Sequence, residues 1–278
     1  MDEVRDGRMT ETHTGELDGQ PVFWRTASGA DPPVLYVHGV PTSSDIWVPF
    51  LTKTGGLAPD LPGFGRSGKR GDLDYTIAGF DRWLEQFLAF AGVDRVRLVV
   101  QDWGAVGLAL AQRFPERIER LVVIDAVPLL PGYRWHLIAR MWRTRVLGEL
   151  FMGCVNRVTL RLILRAFGVA SGAQLHDFAQ TIARHFDHGT QRAILHFYRS
   201  SPPEALARAG TQLNKLDCPA LVVWGDRDPF CPPAFAEAYA EALPNATVLH
   251  LPDASHWPWL QRPDVVDTVA SFLSGERS

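Results

Sequence analysis

Short apolar runs recur along this chain, each cut off by Gly, Pro or Asp and most followed by a helical pattern. Residues 34–37, 57–58, 96–100, 121–125, 220–224 and 247–251 read as buried strands. Residues 76–91, 104–113, 234–242 and 265–273 have helical spacing between them. In 76–91, for example, Ile77, Phe80, Leu84, Phe87 and Leu88 fall on one face. Strands that alternate with helices imply a mostly parallel, doubly wound α/β sheet. Two further strands, near 13–17 and 21–26, precede the first of these units, and residues 1–12 read as a loose tail.

The rhythm breaks once. Residues 128–210 offer no convincing strand and read as several helices. This stretch holds eleven arginines, no lysine and four acids, a formal +7, so the rest of the chain carries −10 to give the total of −3. The expected organisation is a main domain of residues 13–127 and 211–278, with 128–210 inserted as a helical cap over the carboxyl edge of the sheet. The arginine-rich helices read as a solvated face, as an intramolecular partner for the acidic main domain, or as a means to steer anions or meet a second subunit.

Composition excludes several classes. With 46% hydrophobic and 21% charged residues and a net charge of −3, the chain lacks the basic footprint of a nucleic-acid binder. Three widely spaced cysteines argue against a disulfide framework or a zinc site and for a reducing, cytoplasmic compartment. No run approaches the roughly 18 apolar residues of a membrane span, and residues 1–16 have no apolar signal core. His185 and His188 stand three apart, yet no cysteine or acid cluster supports a metal there, and a solvated helix face is the expectation. The expected partner is a small-molecule substrate, with no nucleic acid, membrane, metal or cofactor. Oligomeric state is left open.

The chemistry gathers at strand ends. The run Val96-Arg97-Leu98-Val99-Val100-Gln101-Asp102-Trp103-Gly104-Ala105 is a strand, a sharp turn and a helix start, which lifts Asp102 above the sheet edge. An ordinary aspartate has a pKa near 3.9, so such a carboxylate needs no base to attack and suits displacement at an sp³ carbon. The bland alternative is that Asp102 caps the helix that follows. Asp228, in Trp224-Gly225-Asp226-Arg227-Asp228-Pro229, follows another strand, and His256, in Asp253-Ala254-Ser255-His256-Trp257-Pro258, follows the last. His256 is then the candidate base that draws a proton from water, and Asp228 its orienting acid, with Asp226 and Asp125 as rivals. The backbone N–H groups of Val40 and Trp103 are candidate oxyanion donors. His38 reads as a structural support of that loop.

These segments, together with His38-Gly39-Val40-Pro41 and Asp60-Leu61-Pro62-Gly63-Phe64-Gly65-Arg66-Ser67, resemble the epoxide hydrolase and haloalkane dehalogenase branch of the α/β-hydrolases over roughly residues 20–275. The resemblance implies the α/β-hydrolase fold and a covalent Asp102 ester resolved by water. It also implies a cap that decides the leaving group. Epoxide hydrolases of this kind place cap tyrosines on the epoxide oxygen, and Tyr198 in His196-Phe197-Tyr198-Arg199 matches one, unless it is only a packed aromatic. Tyr133 lies near the cap's start, and Leu150-Phe151 stands where the other tyrosine is expected. Dehalogenases use N–H donors as a halide clamp. Trp103 fits, Val40 lacks the side-chain donor, and Trp135 or Trp142 could substitute. Opening of an epoxide to a diol is the leading expectation and dehalogenation the alternative. A non-catalytic ligand-binding relative, or a reaction with Asp102 as base, stands behind them. The expected pocket is lined by His38, Trp103, Trp135, Trp142, Phe151 and Trp257.

Overall fold

The computed structural model describes residues 8–275. Its eight strands form one sheet in the order β1-β2-β4-β3-β5-β6-β7-β8. They are β1 (Glu11–Leu17), β2 (Gln20–Ala27), β3 (Val34–Val37), β4 (Gly56–Pro59), β5 (Val96–Asp102), β6 (Ile118–Ala126), β7 (Ala220–Gly225) and β8 (Ala246–Leu251). β1, β2 and β4 pair antiparallel, and every pairing from β4 through β8 is parallel. The expectation of a loose tail over 1–12 fails at its end, where Glu11 and Thr12 pair with Thr26 and Arg25; residues 1–7 lie outside the described part.

Both faces of the sheet are covered. α2 (Ile77–Phe90) and α3 (Val106–Arg113) lie with Leu35, Val37, Leu98 and Val100 in one apolar layer. α1 (Val48–Thr54) and α11 (Asp264–Ser274) lie with Val34, Tyr36, Val99 and Val122 in the other. Alternate residues of β3 thus feed opposite cores, which is why that strand is apolar throughout. Each such fully buried side chain stabilises the fold by about 1.5–3 kcal/mol relative to exposure.

Between β6 and β7 the chain makes six helices and, among the described residues, no strand: α4 (Leu137–Arg143), α5 (Leu147–Cys154), α6 (Arg157–Ala166), α7 (Gly172–Ala183), α8 (His188–Ser200) and α9 (Pro203–Ala209). α10 (Ala234–Ala242) then returns the chain to β8. The insertion is tied to the main layer by polar contacts. Lys69 Nζ meets Asp187 Oδ2 at 2.8 Å, and His185 Nε2 lies 3.5 Å from Asp45 Oδ2. His185 is therefore half-buried against the main layer and not on a solvated face. Burial would push Asp45 upward, but His185 and Arg66 outweigh it and hold the carboxyl far below the usual range.

Candidate active site

Asp102 closes β5 with φ 51°, ψ −125°, a conformation that L-residues avoid. Such a residue costs on the order of 1–3 kcal/mol and persists only where its surroundings fix it. Here they do: the Asp102 carbonyl accepts from Val127 N–H at 3.0 Å, and a 3-10 turn over Trp103–Ala105 carries the chain into α3. Gly104 lets that turn press on β3, since a Cβ there would meet the Val37 carbonyl oxygen at 2.0 Å. The helix proper starts at Val106, two residues later than the spacing suggests. The carboxylate makes no capping bond to the following turn, so the bland reading of Asp102 fails.

That carboxylate faces two groups. Val40 N–H donates to Oδ1 at 2.7 Å, and His256 Nε2 stands 3.2 Å from Oδ2. Gly39 makes the first contact possible: a Cβ at that position would fall 2.3 Å from both Asp102 Cβ and Oδ1. Among the described residues Val40 is the backbone donor to the Asp102 carboxylate, and the N–H of Trp103 makes no such bond.

The other nitrogen of His256, Nδ1, is 2.7 Å from Asp228 Oδ2. The second oxygen of Asp228 accepts the N–H groups of Phe230 (2.7 Å) and Cys231 (3.0 Å), which fixes the carboxylate in its turn. Gln101 adds a hold that sequence reading gave no role: its side-chain amide donates to the His256 carbonyl at 3.1 Å. Burial alone would push His256 down, but the carboxylates of Asp228 and Asp102 on its two sides overcome this and hold it well above the ordinary histidine range.

The rival acids are placed elsewhere. Asp226 binds His250 at 2.6 Å near the surface. Asp125 is fully buried, its Oδ1 accepting from Gly225 N–H at 2.9 Å while Oδ2 meets no donor. Burial and then the neighbouring Asp228 push Asp125 well up, and its bond to Gly225 N–H supports the turn after β7 from behind.

A cavity of about 620 Å³, counting the part continuous with solvent, opens on Asp102 and His256. Trp142, Phe151 and Trp257 line it as expected, with Tyr198 and Val40. Three expected lining residues do not. His38 is fully buried, accepting from Leu61 N–H through Nε2 and bonding the Gly39 carbonyl through Nδ1, so it props the loop behind Val40. Trp135 donates its indole N–H to the Ser201 carbonyl at 3.1 Å. Trp103 lies beneath Tyr198 and Phe197, its ring centroid 3.9 Å from that of Phe197. Tyr133 is also committed, its hydroxyl donating to the Phe230 carbonyl at 3.1 Å.

The donors that remain are distinctive. The indole nitrogens of Trp142 and Trp257, both in the cavity wall, are buried and meet no partner among the described residues. Tyr198 lies in the cavity wall, where burial, reinforced by the Asp102 carboxylate, pushes its hydroxyl well up, so the proton stays on oxygen. His136, which sequence reading missed, lines the same cavity. Its Nδ1 accepts from Ala139 N–H at 3.3 Å to cap α4, which leaves the proton on Nε2. Burial lowers its pKa to about 4, so the ring is neutral. Its signal in the sequence was its place just before a helix, hidden because histidine is not a usual cap. Phe230, edge-on to the His256 ring at 5.0 Å, was also missed. Beyond the Asp102–His256–Asp228 line, the cavity thus offers an anion several hydrogen-bond donors.

Comparison with known proteins identifies the family. Residues 34–268 match the model of the alpha/beta hydrolase family. A haloalkane dehalogenase of Bradyrhizobium diazoefficiens is 29% identical over 92% of this chain and 92% of its own length. Haloalkane dehalogenase 1 of Mycobacterium tuberculosis is 34% identical over 71% of this chain and 68% of its own. The solved structure of the haloalkane dehalogenase DbeA from Bradyrhizobium elkani superposes with a TM-score of 0.82 at 25% identity, covering 96% of this chain and 98% of that one. The chain belongs to the alpha/beta hydrolase family, in the branch that holds the epoxide hydrolases and haloalkane dehalogenases.

Proposed function

We propose that this protein is a hydrolase acting at sp³ carbon, with a halide as its leaving group. Asp102 attacks the carbon from the back, the carbon–halogen bond breaks, and an alkyl ester of Asp102 forms as halide leaves. His256 then takes a proton from water as the oxygen adds to the ester carbonyl. Val40 N–H, already 2.7 Å from Oδ1, holds the oxygen on which charge develops. Collapse expels the alcohol oxygen, which takes the proton, and Asp102 is restored. The observation that carries the halide reading is the pair of indole N–H groups in the cavity wall, at Trp142 and Trp257, that are buried and meet no partner among the described residues. Dehalogenases among the full-length relatives support it. This reverses the preference for an epoxide.

One observation keeps the epoxide as a second reading: the Tyr198 hydroxyl is in the cavity wall beside Asp102. The two differ in what the leaving atom needs. Halide departs as a stable anion, whereas an opening oxirane must gain a proton. Tyr198→Phe is therefore expected to lower halide release from bromo- and iodoalkanes by less than about tenfold. The same change would lower diol formation from epoxides by about a hundredfold or more. A substrate panel scored for halide and diol, run on both proteins, decides between them. Diol without halide would reject the main reading.

The site also implies a change in His256 during turnover. In the free enzyme two carboxylates oppose the effect of burial. Esterification makes Asp102 neutral, so one of them is lost while burial remains, and the imidazole becomes easier to deprotonate when a base is required. Alkylation is expected to be flat from about pH 6 to 9, because it uses no proton from His256. Ester hydrolysis is expected to rise with pH, through a pKa lower than that of His256 in the free enzyme. Rapid-mixing halide bursts against steady-state turnover, with NMR titration of the resting histidine, check this. Equal values in the two states would reject it.

A further inference from the structure

Helices α4 to α6 work on two sides. Inward, residues such as Ile138, Val155, Leu160 and Ile163 line the cavity. Outward, Leu137, Val146, Leu147, Leu150, Val158 and Leu162 are each 44–68% exposed, and among the described residues Met9 and Phe90 are the other large apolar side chains so placed. The same stretch carries Arg134, Arg140, Arg145, Arg157, Arg161 and Arg165, all exposed. Unlike Arg143 and Arg199, which bond to helix ends and to Glu149, these six side chains have no hydrogen-bond or ion-pair partner among the described residues. Glu149 is the only acid between 134 and 165, and Arg199 holds both its oxygens.

In α6 the two sets run side by side. Arg157, Arg161 and Arg165 recur every fourth residue, Val158 and Leu162 stand one position on, and Leu160 and Leu164 are buried on the side roughly opposite Val158 and Leu162. Water is a poor solvent for the apolar row, and nothing among the described residues neutralises the arginines. A polyanion such as nucleic acid would satisfy the arginines and leave the apolar row in water. A second copy joined symmetrically would set two arginine-rich faces against each other, and a head-to-tail contact with the acidic main domain would pair the arginines but would set the apolar row against a charged surface, in a ring or an open filament. A phospholipid surface answers both needs, with phosphates for the arginines and an acyl boundary for the apolar side chains. We propose that the outer face of α4 to α6 is a peripheral docking surface for an anionic lipid bilayer. The −10 carried by the rest of the chain turns the main domain away from such a surface. This modifies the expectation of no membrane partner, which rested on the absence of a span. Among the described residues no helix is long and apolar enough to cross one. The proposal is independent of the leaving group.

Flotation of the full chain with vesicles tests it. Binding is expected to vesicles of equal parts phosphatidylglycerol and phosphatidylcholine and not to phosphatidylcholine alone, and to weaken in about 0.5 M salt. The triple variant Arg157→Glu, Arg161→Glu, Arg165→Glu should bind at least about tenfold more weakly, and so should Leu150→Ser with Leu162→Ser. Both variants should keep the parent's melting temperature and hydrolytic activity, since these side chains touch neither core nor triad. Equal binding to both vesicles, or to neither, overturns the proposal. So does a concentration-dependent dimer that the arginine variant abolishes, which would assign the face to a second copy.

Discussion

His256→Gln is expected to stop the enzyme halfway, releasing one equivalent of halide per site and then almost nothing. Glutamine can keep a polar contact with Asp102 but cannot take a proton from water, so alkylation proceeds and hydrolysis does not. Steady-state turnover should fall by about a thousandfold or more. The protein should meanwhile gain the mass of one alkyl group in place of a proton, and that mass should map by peptide analysis to Asp102. The resting geometry supports this division of labour. His256 Nε2 is 3.2 Å from the carboxylate it would later free, and its other nitrogen is tied to Asp228. If the variant turns over normally, or stalls with unmodified mass while the parent shows a burst, the ester scheme is wrong.

Asp102→Asn should remove the burst itself. An amide nitrogen is a poor nucleophile and its oxygen carries no charge, so halide release is expected to fall at least about 10⁴-fold. The variant separates the enzymatic reading from a binding-only one. Asparagine is nearly isosteric, still accepts from Val40 N–H, and tolerates unusual backbone better than most residues. The cavity and its ligand affinity should therefore survive while chemistry does not. Undiminished hydrolysis by Asp102→Asn would place the reaction on another residue. A test on a fresh sample guards against slow deamidation restoring the aspartate.

How far these conclusions could be read from the chain varied with the range of the interactions involved. The strand runs, the sharp turn at Asp102 and the order of Asp102, Asp228 and His256 are local patterns, and each arose where a short window carries its own signal. Asp228 was favoured in the sequence by the Pro229 that follows it, but Asp226 and Asp125 also stand near strand ends, and geometry made the separation firm. It took the Nδ1 contact at 2.7 Å, and the commitment of buried Asp125 to Gly225 N–H, to rank them. The wall of the cavity was harder still. Trp103, Trp135 and Trp142 are alike as sequence, yet Trp135 satisfies the Ser201 carbonyl, Trp103 lies under Tyr198, and Trp142 alone of the three lines the cavity. His136 went unseen because its tautomer depends on a backbone N–H three residues away.

By itself the sequence determined the layers of the sheet, the corner that carries Asp102, and the charge contrast between the helical insertion and the rest, since each follows from periodicity, turn chemistry or composition. Only the tertiary structure decided which acid faces His256, which indole and hydroxyl donors stay free, and which arginines lack partners. Those outcomes depend on contacts between segments tens to a hundred or more residues apart, as Gln101 with His256 shows, and hydrogen-bond partnership at that separation leaves no periodic trace in a single chain.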